Sequence, residues 1–244
     1  MVFIILFLFL SMCYSNSSIS SNIELGKKYG KKVDSSISEI PQYFANGFQF
    51  PIWRIITDAP CITPMKWGLI PHWFQGNPTE IASKTLNARI ESISSKPSFS
   101  KLIESNRCII PSSGFFEWQH QGKNKTPHFI YGKEDSILSM AGLWDEYVDA
   151  STGVLIQSFT ILTQEANAFM AEIHNVKKRM PVFLKDSAIS GWLNGEQFSL
   201  IDFDNNTISL NAHPVDKSIL LSANSNVAES QLPFSPSSTQ YSIF

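Results

Sequence analysis

Charge is scarce in this sequence. Asp, Glu, Lys and Arg make up only 16% of its 244 residues, which excludes the highly charged composition of disordered or halophilic chains. The formal net charge of −2 excludes binding of nucleic acid by a broad basic surface, so any DNA contact has to be local. The cysteines Cys13, Cys61 and Cys108 are odd in number and widely spaced. They argue against a disulfide framework and a cysteine-rich zinc site, and a reducing compartment fits them best. Cys108, inside the apolar run RCII, reads as a small buried hydrophobe. The histidines His72, His120, His128, His174 and His213 show no H-E-x-x-H or comparable spacing, so neither a metal nor a cofactor is expected. Internal repeats and Pro- or Gly-rich linkers are also missing, which points to one domain.

The opening apolar run, Val2 to Leu10, falls well short of the roughly 20 residues that span a bilayer. No Lys or Arg comes before Lys27, so a secretory signal lacks its basic region. Three accounts of the MC pair at Met12 and Cys13 compete. LSMC looks like a bacterial lipoprotein junction, although Met12 is bulky where a small residue is usual. Cys13 reads equally as a small residue of a buried strand. On the third account Met12 is the biological start and Cys13 the first residue of the mature chain.

What is present is mostly strand. FQFPIWRIIT, RCIIPSSGFFEW, PHFIYG, ILSMAGLWDEYV and SFTILT gather β-branched and aromatic residues between turn formers. Helices are expected around Ile23 to Tyr29, over EANAFMAEIH from Glu165 to His174, and near Ser187 to Leu193, the last ended by Asn194-Gly195. This is the pattern of a single α+β domain of short, mostly antiparallel strands in a barrel-like sheet, with helices at its edges. Residues 1–12 are expected to be an extension that is never translated or is removed, 13–215 the catalytic domain, and 216–244, rich in Ser and Asn, a loosely ordered tail.

Four motifs could carry chemistry. WGLIPHW, Trp67 to Trp73, reads as a turn between buried strands or as an aromatic platform for unstacked bases. TLNARIES sets Asn87, Arg89 and Glu91 at alternate positions, which in a strand share one face, either solvated or lining a site. In GFFEW, Glu117 stands among Phe115, Phe116 and Trp118. Either it is buried with them, where desolvation would raise its pKa towards neutrality, or it alternates to the wet face. HNVKKRMP places His174 at the end of a helix, as a structural residue or an acid/base, with Lys177, Lys178 and Arg179 forming a local positive patch.

In this order MC, WGLIPHW, LNARIES, RCIIPSSGFFEWQ, AGLWDEY, TILTQEAN and H-x-x-x-x-RMP resemble the SOS-response-associated peptidase (SRAP) family of abasic-site-processing proteins, from Met12 to about Val215. The resemblance implies that Cys13 becomes amino-terminal and forms a covalent thiazolidine with abasic sites in single-stranded DNA. Asn87 would position it, and Glu117 and His174 would transfer protons. Arg89 and Arg179 would hold the DNA backbone, with Trp67, Pro71 and Trp73 bordering a kinked strand. The implied protein is a cytoplasmic monomer, nucleoid-associated when acting, with no stable membrane association and with autoproteolytic peptidase activity. Two departures stand out: family members commonly continue MCGR where this chain reads MCYS, and commonly have H-x-R-M-P where this chain has three more residues. An amino-terminal-nucleophile cysteine hydrolase and a lipoprotein anchored at Cys13 are the alternatives.

Overall fold

The computed structural model describes residues 14–33, 37–196, 203–204, 206 and 208–234. Its strands and helices run in the order β1 (Ser15–Ser18), α1 (Asn22–Tyr29), β2 (Gln42–Asn46), β3 (Ile52–Ile55), β4 (Thr63–Trp67), α2 (Pro78–Lys84) and β5 (Asn87–Arg89). Then come α3 (Leu102–Ser105), β6 (Arg107–Ser112), β7 (Gly114–Gln121), β8 (Asn124–Gly132), β9 (Leu138–Val148) and β10 (Leu155–Glu165). The remainder is α4 (Ala168–Ile173), β11 (Arg179–Pro181), α5 (Asp186–Leu193), β12 (Leu210–Pro214) and α6 (Lys217–Leu220).

A five-stranded sheet, β12-β8-β7-β1-β2, faces a seven-stranded one built on β3-β4-β10-β9-β6, with β5 and β11 added to β10. Pairing is antiparallel except that β4 and β5 run parallel to β10. A single residue, Ser113, separates β6 from β7, so the chain turns a corner there and passes from one sheet to the other. The result is the expected α+β barrel-like fold. Phe115 and Ile130 from one sheet and Trp53, Trp67, Phe159 and Ile161 from the other fill the space between them. A second core, including Leu25, Ile109, Leu162 and Trp192, lies on the outer face of the seven-stranded sheet beneath α1 and α5. Cys108 is fully buried, and burial pushes its thiol well above its ordinary range; Cys61 is exposed.

Local signals explain the helices. Ser21 and Glu24 close a capping box at the start of α1, and Gly30, at φ 63°, ends it in the left-handed conformation. α4 is shorter than the expected Glu165 to His174. Glu165 still pairs with Arg179 as the last residue of β10, and the Asn167 side chain caps the helix by accepting from Met170 N.

β1 falls in a stretch that shows no strand signal. Its SNSS sequence is polar, yet Asn16, Ser17 and Ser18 are buried in the interior of the five-stranded sheet, between β7 and β2. Each is satisfied by a side chain far along the chain: Ser112 Oγ donates to Asn16 Oδ1 at 2.6 Å, Gln231 Nε2 to Ser17 Oγ at 2.6 Å and Arg54 to Ser18 Oγ at 3.1 Å. The same contacts hold residues 216–234, the described part of the tail expected to be loose; residues 235–244 lie outside the described residues. Gln231 also donates to Tyr43 O, Asn226 Oδ1 accepts from Tyr43 N and Phe44 N, and Leu220 is buried. Residues 216–234 thus dock on the five-stranded sheet, because its polar strands need partners there.

Candidate active site

β7 is covered on both faces, so alternation alone leaves the direction of Glu117 undecided. Phe115 enters the core between the sheets, Phe116 the small cluster on the outer face with Phe129, Val215 and Leu220. Glu117 shares the face of Phe115 and is only 2% exposed. The buried alternative therefore holds. His174, fully buried, caps the end of α4 and brings Nδ1 within 3.7 Å of Glu117 Oε1. The same nitrogen donates to Arg179 O at 2.9 Å, so Nδ1 carries a proton. Residues 174–179 make this contact by a tight turn in which Lys178 N donates to His174 O and Lys178 adopts φ 51°. That turn absorbs the three additional residues between His174 and Arg179.

Asn87 enters from the opposite sheet. In β5 it lies beside Ile161 of β10, and Ala88 beside Leu162. Since Ile161 belongs to the core between the sheets and Ala88 and Leu162 to the outer one, Asn87 points inward, and it is 7% exposed. Asn87, Glu117 and His174 thus project into the space between the sheets from three separate segments. Cys13 lies outside the described residues, but Tyr14, which follows it, lines the same cavity as Glu117. The cavity has a volume of about 270 Å³. Of the three, Glu117 lines this cavity, where its carboxyl can exchange protons with a bound reactant, and His174 stands behind it.

Residues 12–220 match the family model of the SOS response associated peptidase (SRAP). The chain belongs to the SRAP family. Abasic site processing protein YoqW of Bacillus subtilis (strain 168) is 40% identical to it over 167 residues, 64% of this chain and 72% of the relative. YoaM, of the same name and strain, is 35% identical over 173 residues, 66% of this chain and 74% of the relative. The Gallus gallus abasic site processing protein HMCES is 35% identical over 151 residues, 53% of this chain and 44% of the relative. A crystal structure of a Bacteroides thetaiotaomicron protein superposes with a TM-score of 0.82 at 35% identity, covering 91% of this chain and 100% of that one.

The motif residues of this SRAP chain separate into surface and interior. Trp73 is 49% exposed and Arg89 is exposed. Trp67 is 1% exposed: its ring stacks on Phe159 and its Nε1 donates to Leu86 O at 2.9 Å. β4 turns it into the core, away from the surface on which the resemblance places it. Pro71 is buried as well. Arg179 is 7% exposed and clamps Glu91 with NH1 and NH2 at 2.7 and 2.8 Å, while NH2 also donates to Thr163 O. Its guanidinium ties β11 to the segment after β5 and is committed to that clamp. Of the expected basic patch, Lys177 and Lys178 remain at the surface. Asn87, Arg89 and Glu91 do not share a strand: β5 stops at Arg89 and Glu91 lies in a 3₁₀ turn, Ile90–Ser95.

Glu91 was legible as a polar residue of TLNARIES, but its partner was not. Burial pushes its carboxyl up, yet hydrogen bonds and charge from Arg179, with the Glu165 backbone N–H, hold it below the usual range. A depressed carboxylate contributes stability above its unfolded pKa, near 4.3, and loses it as pH falls through the folded value. Because the Glu91 side chain is 46% exposed and solvent screens the pair, Glu91→Gln is expected to cost only about 1 kcal/mol at pH 7. Urea unfolding should show that difference closing as the pH falls below the ordinary carboxyl range. Among the described residues no three His, Cys, Asp or Glu side chains cluster as a metal site, and no helix is long and apolar enough to cross a membrane.

Proposed function

We propose that this protein captures abasic sites in single-stranded DNA by forming a thiazolidine with Cys13, once Cys13 is the amino-terminal residue. The family and the names of the relatives support a role in abasic-site handling. The observation that carries the chemistry is the buried Glu117–His174 pair, 3.7 Å apart, whose Glu117 lines a cavity together with Tyr14.

The ring-opened abasic sugar presents an aldehyde at C1′. A free α-amine, with pKa near 7.7–8.0 against 10.4 for lysine, is far more available as the neutral nucleophile at pH 7. It adds to C1′ to give a carbinolamine, which loses water to form an imine once a proton reaches the hydroxyl. Glu117 and His174 are suited to deliver that proton, with Asn87 holding the amino-terminal residue in place. The Cys13 S–H then adds across the C=N bond, sulfur to carbon and proton to nitrogen, closing a five-membered ring. The net change is loss of one water. Any residue ahead of Cys13 would turn the amine into an amide, which cannot form the imine.

The test is intact mass of protein made from Met12 and from Met1, before and after incubation with single-stranded DNA carrying one abasic site. A chain beginning at Cys13 is expected to gain the mass of one strand less one water, and a chain retaining upstream residues to gain none. A free Cys13 amine that adds no DNA would overturn the proposal. Multiple turnover of a peptide without DNA would then favour the amino-terminal-nucleophile hydrolase, which the peptidase in the family's name keeps in view. Noncovalent affinity should fall with salt and vary little with base sequence.

A further inference from the structure

β1 is held differently on its two flanks. Against β7 the ladder is unbroken, with Ser15 opposite Phe116, Asn16 opposite Phe115 and Ser17 opposite Gly114. Continued by one position, that register sets Tyr14 opposite Glu117, and the two line one cavity. Against β2 the ladder breaks. Asn16 pairs with Ala45 and Ser18 with Gln42, so Ser17 alone faces Tyr43 and Phe44. This is a bulge, which leaves backbone groups of the longer strand without ladder partners. Residues far along the chain supply them. Asn226 Oδ1 accepts from Tyr43 N at 2.7 Å and from Phe44 N at 3.2 Å, and Gln231 Nε2 donates to Tyr43 O at 2.8 Å. The same amide nitrogen donates to Ser17 Oγ at 2.6 Å, so one side chain joins both strands across the bulge. Gln231 is itself fixed: it ends a 3₁₀ turn, Ala228–Gln231, and its carbonyl accepts from His213 Nε2 of β12 at 2.7 Å.

We infer that Gln231 is a positioning residue for the amino-terminal nucleophile: with Asn226 it fixes the register of β1 on β2, and so the reach of Cys13 towards Glu117. The inference rests on the proposed capture of abasic sites at Cys13. A short strand of polar residues has a weakly specified register, because no apolar face resists a slip. Slipping by one residue would move the start of β1 by about 3.3 Å and turn its side chains to the opposite faces. β2 passes its own placement to the residue after the nucleophile. Just beyond its end Gly47 N donates to Tyr14 O at 2.7 Å, and the Tyr14 and Phe48 ring centres lie 4.7 Å apart. A reacting group misplaced by about 1 Å can lose roughly 10²-fold in rate, so hydrogen bonds at the bulge govern chemistry they never touch.

The experiment uses the chain beginning at Cys13 and single-stranded DNA with one abasic site. A strand carrying a tetrahydrofuran in place of the abasic sugar has no aldehyde and reports binding alone. Gln231→Ala is expected to lower the crosslinking rate at saturating protein roughly 10–100-fold, with affinity for the tetrahydrofuran strand unchanged. Gln231→Glu fills the same space without the N–H donors and is expected to match it. A misplaced nucleophile also gains less from Glu117, so Glu117→Gln should slow the Gln231→Ala protein by a smaller factor than the parent. A loss of folded protein would scale every rate alike and leave that factor unchanged. Should the Gln231 variants melt below the assay temperature, Ser17→Ala, which removes the hydroxyl at the other end of the shorter bond, carries the same expectations. Saturating rates equal to the parent's in the folded variants would overturn the inference. So would an undiminished Glu117→Gln factor, or a loss confined to tetrahydrofuran affinity. Where the parent crosslinks, these outcomes remove only the positioning role; a parent with a free Cys13 amine that adds no DNA removes the proposed capture and this inference with it.

Discussion

Glu117→Gln is expected to slow crosslinking to abasic single-stranded DNA by roughly 10²–10⁴-fold, the usual contribution of a positioned proton donor or acceptor. The substitution keeps the volume and hydrogen-bonding shape of the side chain while removing its exchangeable proton. Because Glu117 is buried on the inner face of β7 and its carboxyl stands 3.7 Å from His174 Nδ1, the effect should fall on the rate rather than on binding. Affinity for a tetrahydrofuran strand should be unchanged. His174→Ala should act in the same direction, but it empties a fully buried position, so its thermal unfolding has to be followed alongside. The measurement is the single-turnover rate of the gel-shifted product. If both variants crosslink as fast as the parent, Glu117 and His174 are not the proton-transfer pair.

Trp67→Ala is expected to cost about 3–5 kcal/mol of stability, the range for a large aromatic removed from a core. The ring lies 6.2 Å from Phe159 and 6.3 Å from Trp53, and its loss would also remove the indole donor to the Leu86 carbonyl, leaving only Ile161 N–H. For a chain of this size the melting temperature should drop by roughly 10 °C. Trp73→Ala, by contrast, should leave stability within about 0.5 kcal/mol and weaken single-stranded DNA binding instead. Thermal melts and binding isotherms on the two variants, two halves of one motif, decide the matter. A Trp67→Ala protein that melts normally but binds poorly would return that residue to the DNA surface.

WGLIPHW could not be divided in this way from its sequence, because alternation of apolar residues reports burial only when one face of a strand is wet. The same limit applied to GFFEW, where Phe115 and Phe116 are both buried on opposite faces. Segments with a local cause were legible. RCIIPS and SFTILT carry β-branched runs, and α1 and α5 end at Gly30 and at Asn194-Gly195 much as expected. What sequence could not reveal was held by long-range pairs. SNSS becomes a strand through Ser112, Gln231 and Arg54. Arg179 turns inward because Glu91, 88 positions away, receives it. The candidate site was recognisable as residue types, Asn87, Glu117 and His174, whereas its assembly from both sheets required the fold.

The position of β1 has a mechanical meaning. It lies between β7 and β2, antiparallel to both, and begins two residues after Cys13. A pull on Cys13 is therefore directed along the axis of an interior strand clamped on both flanks. Ladder bonds lie perpendicular to such a strand, so they bear the load together, in shear, instead of opening one after another. A DNA strand bonded at Cys13 would be anchored through Tyr14 to β1, and force applied to that strand would be carried by the five-stranded sheet.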